Sequence, residues 1–376
     1  MKHINSRNPR LCACRIERKR ENGRNDFKMK ESSINRRTFL KVTATGVTAA
    51  CFSPILAINP KAAKAAQYKS RVALALRNRL VNDSDRIESK VVRPTIDELL
   101  TALTQAATIR DAWQQIFPNL QSTDVIGIKV NCINRNHSSH PEVAYAVAES
   151  LIDSLDINPN KVIIWDRSNS ELENARYSIN TSQTGIRCFG TMPKVSQFRR
   201  VIQSNLDGGI GYNKSLEVDL GKDRKDHFSR ILTDLCTYLI NLPVLKDHVL
   251  SGVSLSMKNH FGSITLPQSC HGGNCEPYIS NLNNHPLIKE KTRLVLCDAL
   301  LGIYHGGPYG PPQWINRQLL ASTDPVALDY TGMQLINKRR REDGLWSLEK
   351  ATIYLRSAAR LGLGTNDPEL IDLVNV

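Results

Sequence analysis

No glycine-rich phosphate loop follows any apolar run of this 376-residue chain; G-x-G-x-x-G and Walker patterns are both missing. That absence removes the ordinary nucleotide-binding folds. G-x-S-x-G and H-E-x-x-H are missing as well, which takes weight from serine hydrolases and zinc proteases. Nine cysteines show neither a disulfide framework nor a tight C-x-x-C. Aromatics make up 6% and nowhere interleave with a basic stripe, so nucleic-acid binding is set aside despite a net charge of +14. The chain holds no internal repeat, and its longest N-terminal apolar stretch, 42–58, is too short and too mixed with Thr, Ser, Asn and Pro for a membrane span.

What is present starts with Arg36 and Arg37, followed by Thr38, Phe39, Leu40 and Lys41 and then that apolar stretch. A twin arginine before Phe-Leu-Lys reads as a twin-arginine export signal, with Ala63-Lys64-Ala65 as its cleavage site. A retained anchor or a buried core helix is the alternative. The pathway exports folded proteins, so the expected partner is the twin-arginine translocase and the expected address is periplasmic or extracellular. Met29 would open a more ordinary signal, and residues 1–28, with Cys12 and Cys14, read as an upstream extension or a basic tail. Residues 1–65 hold 15 Lys and Arg against 4 Asp and Glu, leaving the rest of the chain at about +3. The basic excess therefore belongs to the signal region.

Residues 66–376 are long enough for one α/β domain. Strands are expected over 71–77, 124–131, 161–166, 235–245 and 293–299, and helices over 95–117, 141–155, 324–337 and 348–361. Strand–helix alternation predicts a mainly parallel sheet with helices on both faces. A small β-rich insertion is expected near 205–225. In such sheets ligands bind beyond the carboxyl ends of the strands, and four polar clusters fall there.

The first holds Lys129, Asn131, His137 and His140. The two imidazoles suit one metal ion if the loop curls; otherwise His140 caps a helix and His137 is solvated. The second is the densest, with Lys246, His248, Lys258, Asn259 and His260. Lysines supply charge for a carboxylate or phosphate, imidazoles a base or a ligand, and Asn259 a donor to an oxyanion. Its alternative is a water-facing amphipathic helix over 252–261. In the third, Cys270, His271 and Cys275 suit a loose metal site, a local disulfide or an inert loop. The fourth combines Asp298, which would bind a cation or orient a histidine, with Gly306 and Gly307, whose backbone can approach a ligand. Asp324 there reads as a helix cap and Asp329 as solvated.

The strings DVIGIKVN (124–131), INLPVLKDH (240–248), GVSLSMKNHFGSI (252–264), RLVLCDAL (293–300) and STDPVALD (322–329) resemble the family described as domain of unknown function 362. The resemblance runs from Arg71 to the C-terminus. It implies the α/β fold and, in many members, twin-arginine export. Other members carry ferredoxin-like [4Fe-4S] segments, and this chain has no such cysteine run. Two functions stay open. One is an envelope enzyme acting on a small anionic substrate, with a divalent metal ion as candidate cofactor. The other is a binding or redox-accessory protein with a disulfide or iron–sulfur site.

Overall fold

The computed structural model describes residues 69–82, 86–194 and 209–376. The signal residues Arg36, Arg37, Phe39, Leu40 and Lys41, the pair Cys12 and Cys14, and the start of the expected insertion lie outside the described residues.

The first half alternates strands with helices: β1 (Ser70–Leu76), α1 (Ser89–Thr104), α2 (Ile109–Ile116), β2 (Ile126–Lys129), α3 (Pro141–Leu155), β3 (Val162–Ser168), α4 (Asn169–Asn174) and β4 (Arg187–Met192). An antiparallel pair, β5 (Tyr212–Gly221) and β6 (Arg224–Ser229), then forms a separate two-stranded sheet. Its turn residues Lys222 and Asp223 both have positive φ, as a tight hairpin turn requires. The second half contains β7 (Tyr238–Asn241), β8 (Val244–His248), β9 (Gly252–Val253), α5 (Ser256–Asn259), α6 (Tyr278–Asn284) and α7 (Pro286–Lys289). It continues with β10 (Thr292–Ile303), β11 (Trp314–Ser322), α8 (Pro325–Glu342), α9 (Tyr354–Arg360) and β12 (Ile371–Asn375).

The main sheet has ten strands in the order β12-β1-β11-β10-β7-β2-β3-β4, with β8 joined to β10 and β9 to β8. It is mostly parallel, as the alternation predicts; the exceptions are β11 against β1 and β10, and β9 against β8. Burial on both faces follows from side-chain alternation. In β3, Val162 and Ile164 enter a core shared with α1, α2 and α3, while Ile163 and Trp165 enter one shared with α6, α8 and α9. Among the described residues no helix is long and apolar enough to cross a membrane.

Four expected elements differ. The helix over 95–117 is two helices: Gln105 turns left-handed and ends α1, and the Thr108 side chain caps α2 by accepting from Asp111 N. Pro94 lies inside α1, not ahead of it. The strand over 235–245 breaks into β7 and β8 at Leu242-Pro243, since proline has no N–H for the ladder. β10 pairs with β7 through Thr292, Leu294 and Val295 and with β8 through Asp298 and Ile303, with a register shift inside each pairing. The segment 252–261 is not one amphipathic helix: β9, α5 and a 3-10 turn share it, all buried. The last helix is the shorter α9, closed by Gly362 at φ 68°. Asp324 does cap α8, its Oδ1 accepting from Val326 N and Ala327 N at 2.8 Å each.

Candidate functional site

Parallel pairing brings the carboxyl ends of β2, β3 and β7 abreast, with Lys129 level with Trp165 and Asn241. Asp166 stands one residue beyond. Lys129 Nζ donates to Asp166 Oδ1 at 2.6 Å, and neither side chain is more than 5% exposed. The same carboxylate accepts from Cys132 N at 2.7 Å and Arg167 N at 2.8 Å, so both oxygens are satisfied. Gly262 closes over this pair. A Cβ there would stand 2.8 Å from Lys129 Nζ and 2.9 Å from Asp166 Oδ1.

The segment from β9 to α5 is pinned from below by Asp329. This residue is not solvated; it is fully buried and accepts from Ser256 N (2.8 Å), Ser256 Oγ (2.5 Å), Met257 N (3.1 Å) and Tyr354 Oη (2.9 Å). Burial pushes its carboxyl up to about 6. Asn259, so held, donates to Lys129 O at 3.2 Å and to Asn241 Oδ1 at 2.8 Å. Both amide hydrogens are thus committed, and Asn259 is no oxyanion donor but a brace between β2 and β7. His260 is interior as well. It accepts from Asn241 Nδ2 at 3.2 Å, and burial, then the charge of Lys129, lowers it to about 3. It is a neutral structural imidazole rather than a proton carrier.

The remaining members, Lys246, His248 and Lys258, lie within electrostatic reach of one another. Lys246 is 0% exposed, and its Nζ donates to Asn131 Oδ1 at 2.7 Å. No carboxylate of the described residues lies within 4.0 Å of it. Burial, opposed by Asp166 and reinforced by Lys258 and Lys129, lowers the Lys246 ammonium to about 7. Lys258 Nζ donates to His271 Nε2 at 3.0 Å and sits 4.0 Å from the Phe261 ring centroid. Burial lowers it to about 8. His271, part-exposed, stacks on His248 with ring centroids 5.5 Å apart. His248 Nδ1 accepts from Leu250 N and Ser251 N, which makes Nε2 its N–H. Burial and the lysine charges hold His271 near 4 and His248 near 2, so both are neutral.

The loop after β2 packs beside these groups. Ser139 ties it down, its Oγ accepting from Asn131 N and donating to Leu242 O. His137 is buried, not solvated. Its Nε2 donates to Leu245 O at 3.0 Å, its Nδ1 has no partner, and burial, then Lys246, lowers it to about 3. His140 is engaged differently: its Nδ1 and backbone N both donate to Asp298 Oδ2, at 2.7 and 2.8 Å. Burial opposes its charge, but Asp298 outweighs burial and raises it; Asp298 is correspondingly lowered.

The six expected metal ligands therefore do not form one set. His140 and Asp298 are spent on each other, His137 keeps a single free nitrogen, and His271 serves Lys258. Cys270 and Cys275 are free, buried thiols raised by burial. Among the described residues no three His, Cys, Asp or Glu side chains are placed to hold an ion. Gly307 supports the rim rather than a ligand: its N–H donates to Asp247 Oδ1 at 2.8 Å, and a Cβ there would lie 2.4 Å from Asp247 O. Gly306 is exposed, with open space beside it.

Asp166 was not among the residues expected from sequence, although an acid ending an apolar strand was a usable signal. Asp329 reads as solvated in the sequence and Asn241 gives no signal, because their partners lie on other elements.

Residues 126–334 match the family described as Domain of unknown function (DUF362). The chain belongs to this family. No curated protein matches it, and no solved structure does. The DUF362 region opens at the first residue of β2 and ends within α8. It is narrower than the likeness expected from Arg71 onward, yet it holds Lys129, Asp166, Lys246, His248, Lys258, His271 and Asp329 together.

Proposed function

We propose that this DUF362 protein binds a small anion, a carboxylate or phosphate, between Lys246 and Lys258 and moves protons on it. One observation carries this reading. Two buried lysines, Lys246 and Lys258, lie within electrostatic reach of each other, and the nearby carboxylate, Asp166, is already matched to Lys129. Unpaired buried charge costs several kcal/mol, and an incoming anion offsets that cost. His248 offers an Nε2–H to the anion. Lys258, whose ammonium lies near the working pH, is the proton donor. The anion enters past Asn131, whose part-exposed amide is the group in contact with the Lys246 ammonium. No step requires a metal ion.

Calorimetric titration with phosphate and acetate at pH 6.5 tests the site. Lys246→Met and Lys258→Met should each weaken binding by about tenfold or more, the value of one charge-assisted hydrogen bond. Equal affinity in wild type and both variants would sink the reading.

We further propose that the protein works in the cell envelope, delivered by the translocase that reads Arg36 and Arg37. Replacing both by Lys should leave the folded protein in the cytoplasm, as followed by fractionation. Unchanged export of that variant would remove the assignment.

A further inference from the structure

We propose that Lys246 is a covalent nucleophile that forms an imine with a 2-oxo acid, while Lys258 and His248 hold the acid's carboxylate. The inference rests on the anion site above and names its substrate class.

A structural lysine normally reaches solvent or a carboxylate. Lys246 does neither: it is 0% exposed and its hydrogen bond goes to the neutral amide oxygen of Asn131. Two further ammonium groups, Lys258 and Lys129, oppose its charge, while Asp166, already paired with Lys129, favours it less than burial disfavours it. Desolvation beside other cations is how a lysine is kept as the free amine that attacks a carbonyl. With its ammonium lowered to about 7, roughly half of Lys246 is amine at pH 7, on the order of a thousandfold more than for an ordinary exposed lysine. Lys258, lowered less, stays an ammonium at that pH and remains available to an anion. The cluster of Lys246, Lys258, His248 and His271 therefore offers an amine for a carbonyl carbon and a cation for the adjacent carboxylate.

The step balances. The Lys246 amine adds to the carbonyl carbon, and one N–H proton passes to the carbonyl oxygen, giving a carbinolamine. The C–O bond then breaks, and hydroxide takes a proton from Lys258 and leaves as water. A protonated imine remains, and Lys258 recovers its proton from solvent past the part-exposed His271. Neither oxidant nor reductant takes part.

Full-length protein is incubated at pH 7 with pyruvate and sodium cyanoborohydride, digested, and mapped by mass spectrometry. The expected result is a reduced adduct on Lys246, well above that on the exposed Lys225. It should be suppressed by excess acetate, diminished in Lys258→Met, and lost from this position in Lys246→Arg. No adduct, or adducts spread over the lysines in order of exposure, overturns the proposal. Acetate titration in parallel separates the two readings. Acetate binding without an adduct rejects the imine and leaves the anion site standing, whereas loss of both rejects both.

Discussion

Asp166→Ala is expected to lower folding stability by about 3–5 kcal/mol, the usual cost of stranding one partner of a buried ion pair. Urea unfolding followed by circular dichroism reads this as a large drop in midpoint at unchanged slope. The reason is local. Asp166 accepts from Lys129 Nζ, Cys132 N and Arg167 N, all at 2.8 Å or less, and Ala leaves all three donors without that acceptor. Lys129 suffers most: it is 1% exposed and cannot swing to water, because Trp165 and Gly262 crowd it. A total stability of roughly 5–15 kcal/mol leaves little margin for such a loss. The double variant Lys129→Met with Asp166→Leu should recover much of it, since no uncompensated charge is then buried. A single variant within about 1 kcal/mol of wild type would show that the pair is not the anchor described.

Anion affinity and the stability of the empty protein should move in opposite directions as pH rises from 7 to 10. Lys246 titrates near 7 in the fold, against its ordinary 10.5, and Lys258 near 8. Between the folded and ordinary values the unfolded chain holds the extra proton, so stability climbs with pH by up to about 1.4 kcal/mol per unit for each lysine. Below pH 7 both states are protonated, the slope from these groups vanishes, and the full cost of burying the charges is present. An anion needs the ammonium forms. Its affinity should therefore hold below pH 7 and fall through 7 to 8, with proton uptake on binding above pH 7. Chemical denaturation across this range, with Lys246→Met as reference, isolates the lysine's share from other titrating groups. Identical slopes in the two proteins, or affinity that rises with pH, would contradict the electrostatics of the lysine cluster.

The sequence made parts of this site readable. Lys129, Lys246 and His248 end apolar strands, and strand ends are where parallel sheets put chemistry, so their neighbourhood followed from pattern alone. The same pattern could not sort His248 from His260 or Lys258 from Asn259. All four are buried, but depth and partners divide them. His248 stacks on the part-exposed His271, whereas His260 and Asn259 spend their polar atoms on Asn241, Ser263 and Lys129. The expected metal set failed for a related reason. Imidazoles three residues apart looked equivalent in the chain, yet His140 found Asp298 and His137 found a backbone carbonyl.

Local sequence by itself determined the mostly parallel sheet, its two buried faces, the cap at Asp324 and the family to which residues 126–334 belong. These depend on periodicity, proline and capping chemistry within a few residues. Only the tertiary structure decided which charges are matched. Lys129 meets a carboxylate 37 residues away, Asp329 reaches back 73 residues to Ser256, and Lys246 is left facing an amide. A charge's partner depends on crossover geometry and desolvation, and neither is written in the spacing of residues along a chain.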